Sequence, residues 1–95
     1  MADQQRLHAW LDGHVQGVGF RYFVRERAGT LPITGWVRNL HDGRVELIAE
    51  GTRQDLEKML SAVRKGPRGS YVTDVRVDWG IASGEFDSFR VQATA

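Results

Sequence analysis

Residues 5–24, QRLHAWLDGHVQGVGFRYFV, change their hydrophobic pattern partway along the run. Leu7, Ala9 and Leu11 occupy every second position, the period of a strand that places one face on a core. Farther on, apolar residues recur three and four positions apart, as on one face of a helix, at Phe20, Phe23, Val24, Ala28 and Leu31. The stretch therefore predicts a strand, a glycine-containing loop and a helix that Gly29 caps at its end.

Two further runs, ITGWVRNL and RVELIAE, are rich in β-branched and apolar residues. The Asp42-Gly43 pair between them predicts a hairpin that joins strands at about 34–40 and 44–50. Trp36, on the first of these strands, either belongs to the core or supports the strand end at Asn39, and we favour the core.

A second helix is predicted to begin after Thr52, because Asp55 follows three positions later in a near match to a capping box. Its apolar stripe consists of Leu56, Met59, Leu60 and Val63. Alternating apolar residues then predict a strand at 73–79 and a short last strand near 89–93.

The predicted order of elements is β-α-β-β-α-β with one extra strand at the C-terminal end. This order is typical of the α+β, ferredoxin-like βαββαβ sandwich, in which an antiparallel sheet carries both helices on one face. Because 95 residues suffice for one modest core and not for two, we expect a single domain over 1–95.

The composition is that of a globular protein with little overall charge. With 13 basic and 12 acidic side chains the net charge is +1, and no stretch is basic enough to suggest a nucleic-acid or membrane partner. No apolar run approaches the ~18 residues of a membrane span, and the first residues do not resemble a signal peptide. We therefore expect a cytoplasmic protein; its oligomeric state is not determined by the sequence, and a monomer is the default expectation. The absence of cysteine excludes disulfides, thiolate nucleophiles and cysteine-ligated zinc.

The loop HVQGVG lies between a predicted strand and a predicted helix. Backbone N–H groups at a helix start carry partial positive charge, and glycine lets successive amides turn toward one point, so this loop can bind an anion. Arg21 adds a planar set of donors that matches paired phosphate oxygens. Glycine could equally serve turn geometry alone. The loop matches neither a dinucleotide fingerprint, where Tyr22 would have to be glycine, nor a Walker loop.

HVQGVGFRYF followed by GWVRNLHDGRVEL resembles the acylphosphatases, which are marked by a Gly-x-Val-Gln-Gly-Val-x-Phe-Arg loop and a Gly-Trp-Val-x-Asn strand. The resemblance runs from about Leu7 to Val91. It implies the ferredoxin-like fold, hydrolysis of acyl phosphates, and inorganic phosphate as product and inhibitor. It also implies Arg21 and Asn39 as catalytic residues, Asn39 by positioning the attacking water. The implied phosphate-binding residues are Val15, Gln16, Gly17, Val18, Gly19, Phe20 and Arg21.

Elementary chemistry agrees with this activity. An acyl phosphate releases a carboxylate, whose conjugate acid has a pKa of ~4, so the reaction needs no general acid at neutral pH. Phosphoryl transfer then requires positioned donors around the phosphate and an oriented water. The Asn39 amide can hydrogen-bond a water and cannot hold its proton, which we expect the substrate phosphate to help accept.

The same residues give little support to other sites and functions. His8, His14 and His41 lack the spacing of a metal site, so we expect neither a metal nor a cofactor, and we expect His14 to be solvated. Ferredoxin-like sheets also bind single-stranded RNA through aromatic residues on their central strands, but VELIAEG lacks that pattern. A similar domain also serves a larger carbamoyl-transfer maturation protein. For 95 residues we expect the free enzyme.

Overall fold

The computed structural model describes residues 3–95 and contains five strands and two helices within them. The elements are β1 (Gln4–His14), α1 (Phe20–Gly29), β2 (Thr34–Asn39), β3 (Val45–Thr52), α2 (Arg53–Lys65), β4 (Tyr71–Ile81) and β5 (Phe89–Val91). The sheet order is β4-β1-β3-β2-β5. The first four strands pair antiparallel, and β5 pairs parallel with β2, so the sheet is mixed. The ferredoxin-like α+β prediction is confirmed.

The core lies between the sheet and the two helices. Alternation directs the apolar side chains of β1 to the helical face, as predicted, and does the same for Val45, Leu47 and Ala49 on β3. The fully buried side chains of these strands are Leu7, Ala9, Leu11, Val45, Leu47 and Ala49. The helices contribute the predicted stripes, whose buried members are Phe20, Val24, Ala28, Leu56, Met59, Leu60 and Val63. One continuous apolar cluster therefore holds both helices on the same face.

The prediction for Trp36 was wrong. Val37 is fully buried among the core residues, and its neighbour Trp36 points to the opposite, helix-free face of the sheet because successive side chains on a strand alternate. There the guanidinium of Arg38 lies 4.5 Å from the centre of the Trp36 ring. The same alternation places Asn39 on the helical face with Val37.

The helix ends differ in how well the sequence predicted them. The Thr52 hydroxyl accepts a hydrogen bond from the Asp55 N–H, which confirms the predicted cap of α2. α1 does end at Gly29, but the capping residue is Thr30, whose hydroxyl donates to the carbonyl of Arg27 at 2.7 Å. Gly29 has no positive φ, so the predicted glycine cap was wrong.

The topology brings two strand ends to one edge of the sheet. β1 and β2 both run antiparallel to β3, which lies between them, and Leu11 and Asn39 both pair with Val45. Neighbouring strands are ~4.8 Å apart, so the end of β2 lies about 10 Å from the matching point of β1. The loop that follows β1 is therefore within reach of Asn39.

A buried carboxylate fastens a loop to the helix-free face. Glu50 on β3 is 4% exposed and accepts hydrogen bonds from Arg6 Nε at 2.8 Å, from the Ser83 N–H at 2.9 Å and from the Gly84 N–H at 3.0 Å. Burial alone would raise the pKa of Glu50, but these hydrogen bonds outweigh it and the pKa lies below its ordinary value. Glu50 thus holds the chain before β5 against the sheet.

The lowered pKa of Glu50 should make the free energy of unfolding decrease at acidic pH. Because its pKa is lowered in the folded state, the stabilisation is complete above the ordinary pKa of 4.5 and is lost as the pH falls through the folded value. Glu50→Gln should lower the free energy of unfolding at pH 7 by about 1–3 kcal/mol and flatten its decline below about pH 4.5. Urea unfolding between pH 7 and pH 3 measures both. Glu26→Gln, an exposed carboxyl of α1, is the control, and equal behaviour of the two variants would contradict this role.

Candidate active site

A small cavity lies where the loop after β1 meets the end of β2. Its lining consists of Val15, Gly17, Gly19, Phe20, Arg21, Tyr22 and Asn39. Its volume of about 90 Å³ is room for several waters, whereas pockets for drug-sized ligands occupy ~300–1,000 Å³. The cavity therefore suits one small group.

The loop that forms one wall depends on two glycines. Gly17 and Gly19 have φ angles of 73° and 76°, in the left-handed region that costs other residues about 1–2 kcal/mol. A Cβ at either position would meet no atom within 4 Å, so the backbone angle, and not crowding, requires glycine. Val18 between them has no positive φ. Such alternation turns successive amides toward one side, as in known anion-binding loops.

Backbone donors at this wall lack partners. Gly19 caps α1 without a side-chain hydrogen bond, and the first turn of α1 contains no acidic residue. Across the described part of the chain, the N–H groups of residues 15–22 donate no hydrogen bond; the next one, of Phe23, donates to the Gly19 carbonyl at 3.0 Å. Unpaired N–H groups at a helix start carry the positive end of the helix dipole. The wall is therefore suited to an anion.

Arg21 and Asn39 approach the cavity from different elements. Arg21 is the second residue of α1, and Asn39 is the last residue of β2; both are half-buried. Considering residues 3–95, neither the Arg21 guanidinium nor the Asn39 side-chain amide makes a hydrogen bond or an ion pair. Both groups are thus available to a ligand in the cavity.

Gln16 lies behind the cavity and connects its two sides. Its Nε2 donates to the carbonyl of Leu40 at 2.7 Å and to the carbonyl of Arg44 at 2.9 Å. These carbonyls flank the turn that follows Asn39. Val18 packs against the core. Since neither side chain lines the cavity, a phosphate-binding role for Gln16 and Val18 can rest only on their backbone.

Sequence reasoning missed two contributors to the site. Tyr22 lines the cavity and is 57% exposed; its place in the first turn of α1, directly after Arg21, could have indicated this. Residues 92–95 run beside β2, where the Ala95 N–H donates to the Asn39 carbonyl at 3.0 Å and the His41 N–H donates to the Ala95 carbonyl at 2.9 Å. No hydrophobic or turn pattern in the sequence of residues 92–95 predicts that contact.

The histidines do not gather at the cavity. His14 and His41 are exposed, and His8 pairs with Glu46 at 2.7 Å on the helix-free face. Among residues 3–95, no three His, Asp or Glu side chains lie close enough together to hold a metal ion. In the same range no helix is both long and apolar enough to cross a membrane. Independence from metals stays a prediction.

Comparisons with known proteins agree with one another. The Acylphosphatase family model matches residues 7–91. The acylphosphatase of Salinibacter ruber is 51% identical over 89 residues, which are 94% of either chain. The crystal structure of acylphosphatase from Bacillus subtilis superposes with a TM-score of 0.89 and 40% identity, and it covers 93% of this chain and 98% of that one.

A larger protein contains a similar unit. The crystal structure of full-length HypF in the phosphate- and nucleotide-bound form matches with a TM-score of 0.88 and 26% identity, and the match covers 99% of this chain and 12% of that one. The Acylphosphatase family model, by contrast, spans nearly all of this chain, and the Salinibacter relative matches along almost its whole length. The chain belongs to the acylphosphatase family.

Proposed function

We propose that the protein hydrolyses acyl phosphates to a carboxylate and inorganic phosphate without a metal ion. The observation that carries this proposal is the set of unpaired donors on one cavity of about 90 Å³: the N–H groups of its lining residues between Val15 and Tyr22, and the side chains of Arg21 and Asn39. A phosphoryl group is small, dianionic and rich in acceptor oxygens, which is what such a set would bind.

In the bound state the loop and Arg21 donate hydrogen bonds to different oxygens of the phosphoryl group. Backbone N–H groups of residues 15–20 donate to oxygens on the side of the loop. The guanidinium of Arg21 offers two parallel N–H bonds to a further pair. These donors act most strongly on charge that spreads over the equatorial oxygens in a loose transition state.

The water is held from the opposite side, by Asn39. Its amide oxygen accepts a hydrogen bond from the water, which attacks phosphorus in line with the bond to the acyl oxygen. The phosphorus–oxygen bond of the anhydride breaks, its electron pair leaves on the carboxylate, and the water proton passes to a phosphate oxygen. Since the leaving carboxylate is a weak base, no side chain has to protonate it.

The position of Asn39 relative to the loop is set by three restraints. β3 holds the ends of β1 and β2 in register, Gln16 joins the loop to the turn after Asn39, and Ala95 hydrogen-bonds the Asn39 backbone. A displacement of 1 Å can cost about 10²-fold in rate, so this rigidity serves the reaction directly.

The proposal is tested by assaying chelator-treated protein with benzoyl phosphate and, for comparison, glycerol phosphate. We expect hydrolysis of benzoyl phosphate, competitive inhibition by inorganic phosphate, and little action on the monoester, whose alkoxide leaving group needs an acid. Loss of turnover on chelation would overturn the metal-free mechanism. An apparent KM that ignores added phosphate would overturn the site.

Substitution of Arg21 should lower activity without lowering the stability of the fold. Arg21→Ala removes a bidentate donor, so kcat/KM should fall by roughly 10²–10³ and the Ki of phosphate should rise. Arg21→Lys should recover little, because a point charge does not reproduce the planar pair of bonds. A cation near a helix start is unfavourable by about 0.3–1 kcal/mol, so thermal unfolding of Arg21→Ala should be unchanged or later than that of the parent. A variant that loses activity only because it unfolds would contradict the role.

Asn39 should affect the chemical step and leave phosphate binding nearly intact. Asn39→Ala removes the group that orients the water, and kcat should fall by roughly 10²–10³ while the Ki of phosphate changes little. If the side chain only supported the turn, the cost would be ~1 kcal/mol of stability and activity would follow the folded fraction. Single-turnover kinetics and thermal unfolding on the same sample decide between the two.

Gln16 should act through Asn39. Gln16→Met keeps the length of the side chain and removes both hydrogen bonds, so kcat should fall about tenfold or more as the loop and Asn39 lose their fixed spacing. When Asn39→Ala is already present, the same change should cost less than about threefold, because coupled residues are not additive. Equal losses in the two backgrounds would show that Gln16 only stabilises the fold.

A further inference from the structure

The mouth of the cavity carries a pair of side chains that phosphate binding does not require. Tyr22 lines the cavity with its side chain 57% exposed, and the guanidinium carbon of Arg25 lies 5.2 Å from the centre of the Tyr22 ring. That distance is within the range of a cation–π contact, so Arg25 packs against a side chain of the cavity lining without lining the cavity itself. Tyr22 and Arg25 together are called the mouth pair.

Arg25 has no partner of opposite charge. It is exposed, and over residues 3–95 it makes no ion pair and no hydrogen bond. Several other arginines do meet carboxylates within 4 Å, namely Arg6, Arg38, Arg44, Arg53, Arg76 and Arg90. Its charge is therefore available to a ligand.

Helix stability does not explain a cation at this position. Arg25 follows Arg21 by four residues, so the two like charges share one side of α1. This spacing of like charges is unfavourable for an isolated helix. A benefit outside the helix would account for retaining this charge.

The size of the cavity indicates what that benefit is. About 90 Å³ holds a phosphoryl group and leaves the acyl part of a substrate outside. The acyl part must then lie across the mouth, where the exposed ring of Tyr22 offers an apolar face and Arg25 offers a positive charge.

We infer that the mouth pair is an acyl subsite that favours acyl phosphates whose acyl group carries a second anionic group, a carboxylate or a phosphate. This inference rests on the proposed function. The carbon skeleton lies against the Tyr22 ring, and the remote anion pairs with Arg25. No residue of the mouth pair takes part in bond breaking, so the subsite changes which substrate is used and not how it reacts.

The test compares two substrates that differ by one charge, 4-carboxybenzoyl phosphate and benzoyl phosphate. The quantity measured is the ratio of their kcat/KM values, and 4-phosphonobenzoyl phosphate tells a phosphate-type anion from a carboxylate. Arg25→Gln should lower the ratio about two- to fivefold, the scale of one exposed ion pair, and the difference between variant and parent should shrink in 1 M salt. Tyr22→Ala should lower the ratio as well, and Tyr22→Phe should keep it.

Arg27→Gln is the matched control. Arg27 lies on the same helix with its guanidinium 5.5 Å from the Phe23 ring, and it does not line the cavity. Its removal should leave the ratio unchanged. A ratio that falls equally in both arginine variants, or in neither, would overturn the subsite. So would a raised Ki of phosphate in Arg25→Gln with an unchanged ratio, since Arg25 would then belong to the phosphate site.

Failure of the proposed function has a different result. If the parent protein does not hydrolyse benzoyl phosphate, or if inorganic phosphate does not compete with benzoyl phosphate, the proposed function is wrong. The acyl subsite, which rests on that function, is then wrong as well. If benzoyl phosphate is hydrolysed and phosphate competes, but the ratio does not respond to Arg25→Gln, only the subsite is wrong.

Discussion

The side-chain amide of Gln16 is the interaction on which the geometry of the candidate site depends. The two halves of the site belong to strands that are not neighbours, because β3 separates β1 from β2. Gln16 crosses that gap by donating to the carbonyls of Leu40 and Arg44. The Arg44 carbonyl oxygen already accepts a hydrogen bond from the Leu40 N–H at 2.8 Å. The Gln16 amide donates to the second lone pair of the same oxygen, so the hydrogen bond of the hairpin stays intact. Loop and strand end are thereby fixed to each other without a covalent link.

The two helices differ in how well their ends satisfy the preferences of an isolated helix. α2 begins with Thr52 as a hydrogen-bonded cap and Asp55 in its first turn, and it ends with Arg64 and Lys65, all of which suit its dipole. α1 begins with a glycine that provides no side-chain cap, has no acid in its first turn, and carries Arg21 there instead. Departures from local preference concentrate at functional sites. Here the departure is confined to the helix end that forms the cavity, and the buried stripe of α1 compensates for it by packing.

Features that local sequence patterns determine could be predicted from the sequence, whereas contacts between segments far apart in the chain could not. The α2 cap and the hairpin at Asp42-Gly43 could be predicted from spacing, whereas the meeting of the glycine loop with Asn39 was implied only by the resemblance to acylphosphatases. Trp36 lies outside the core because its neighbour Val37 takes the inward-facing position on the strand. The double contact of Gln16 and the contact of Ala95 with Asn39 join residues far apart in sequence, and no local period encodes such contacts. The parallel pairing of β5 with β2 has the same cause.

In the proposed mode of binding, recognition is divided between backbone and side chains. The phosphoryl end would be surrounded mainly by N–H groups of the glycine loop and of the first turn of α1, whose positions follow from the φ angles of Gly17 and Gly19 and from the start of the helix. Substitutions at exposed positions nearby do not move those donors. In the same proposal the acyl end faces the exposed side chains of Tyr22 and Arg25, which contribute little to the core. Binding of the phosphoryl group would therefore be tied to the fold itself, whereas preference for the acyl group would depend on surface residues that can change at small cost in stability.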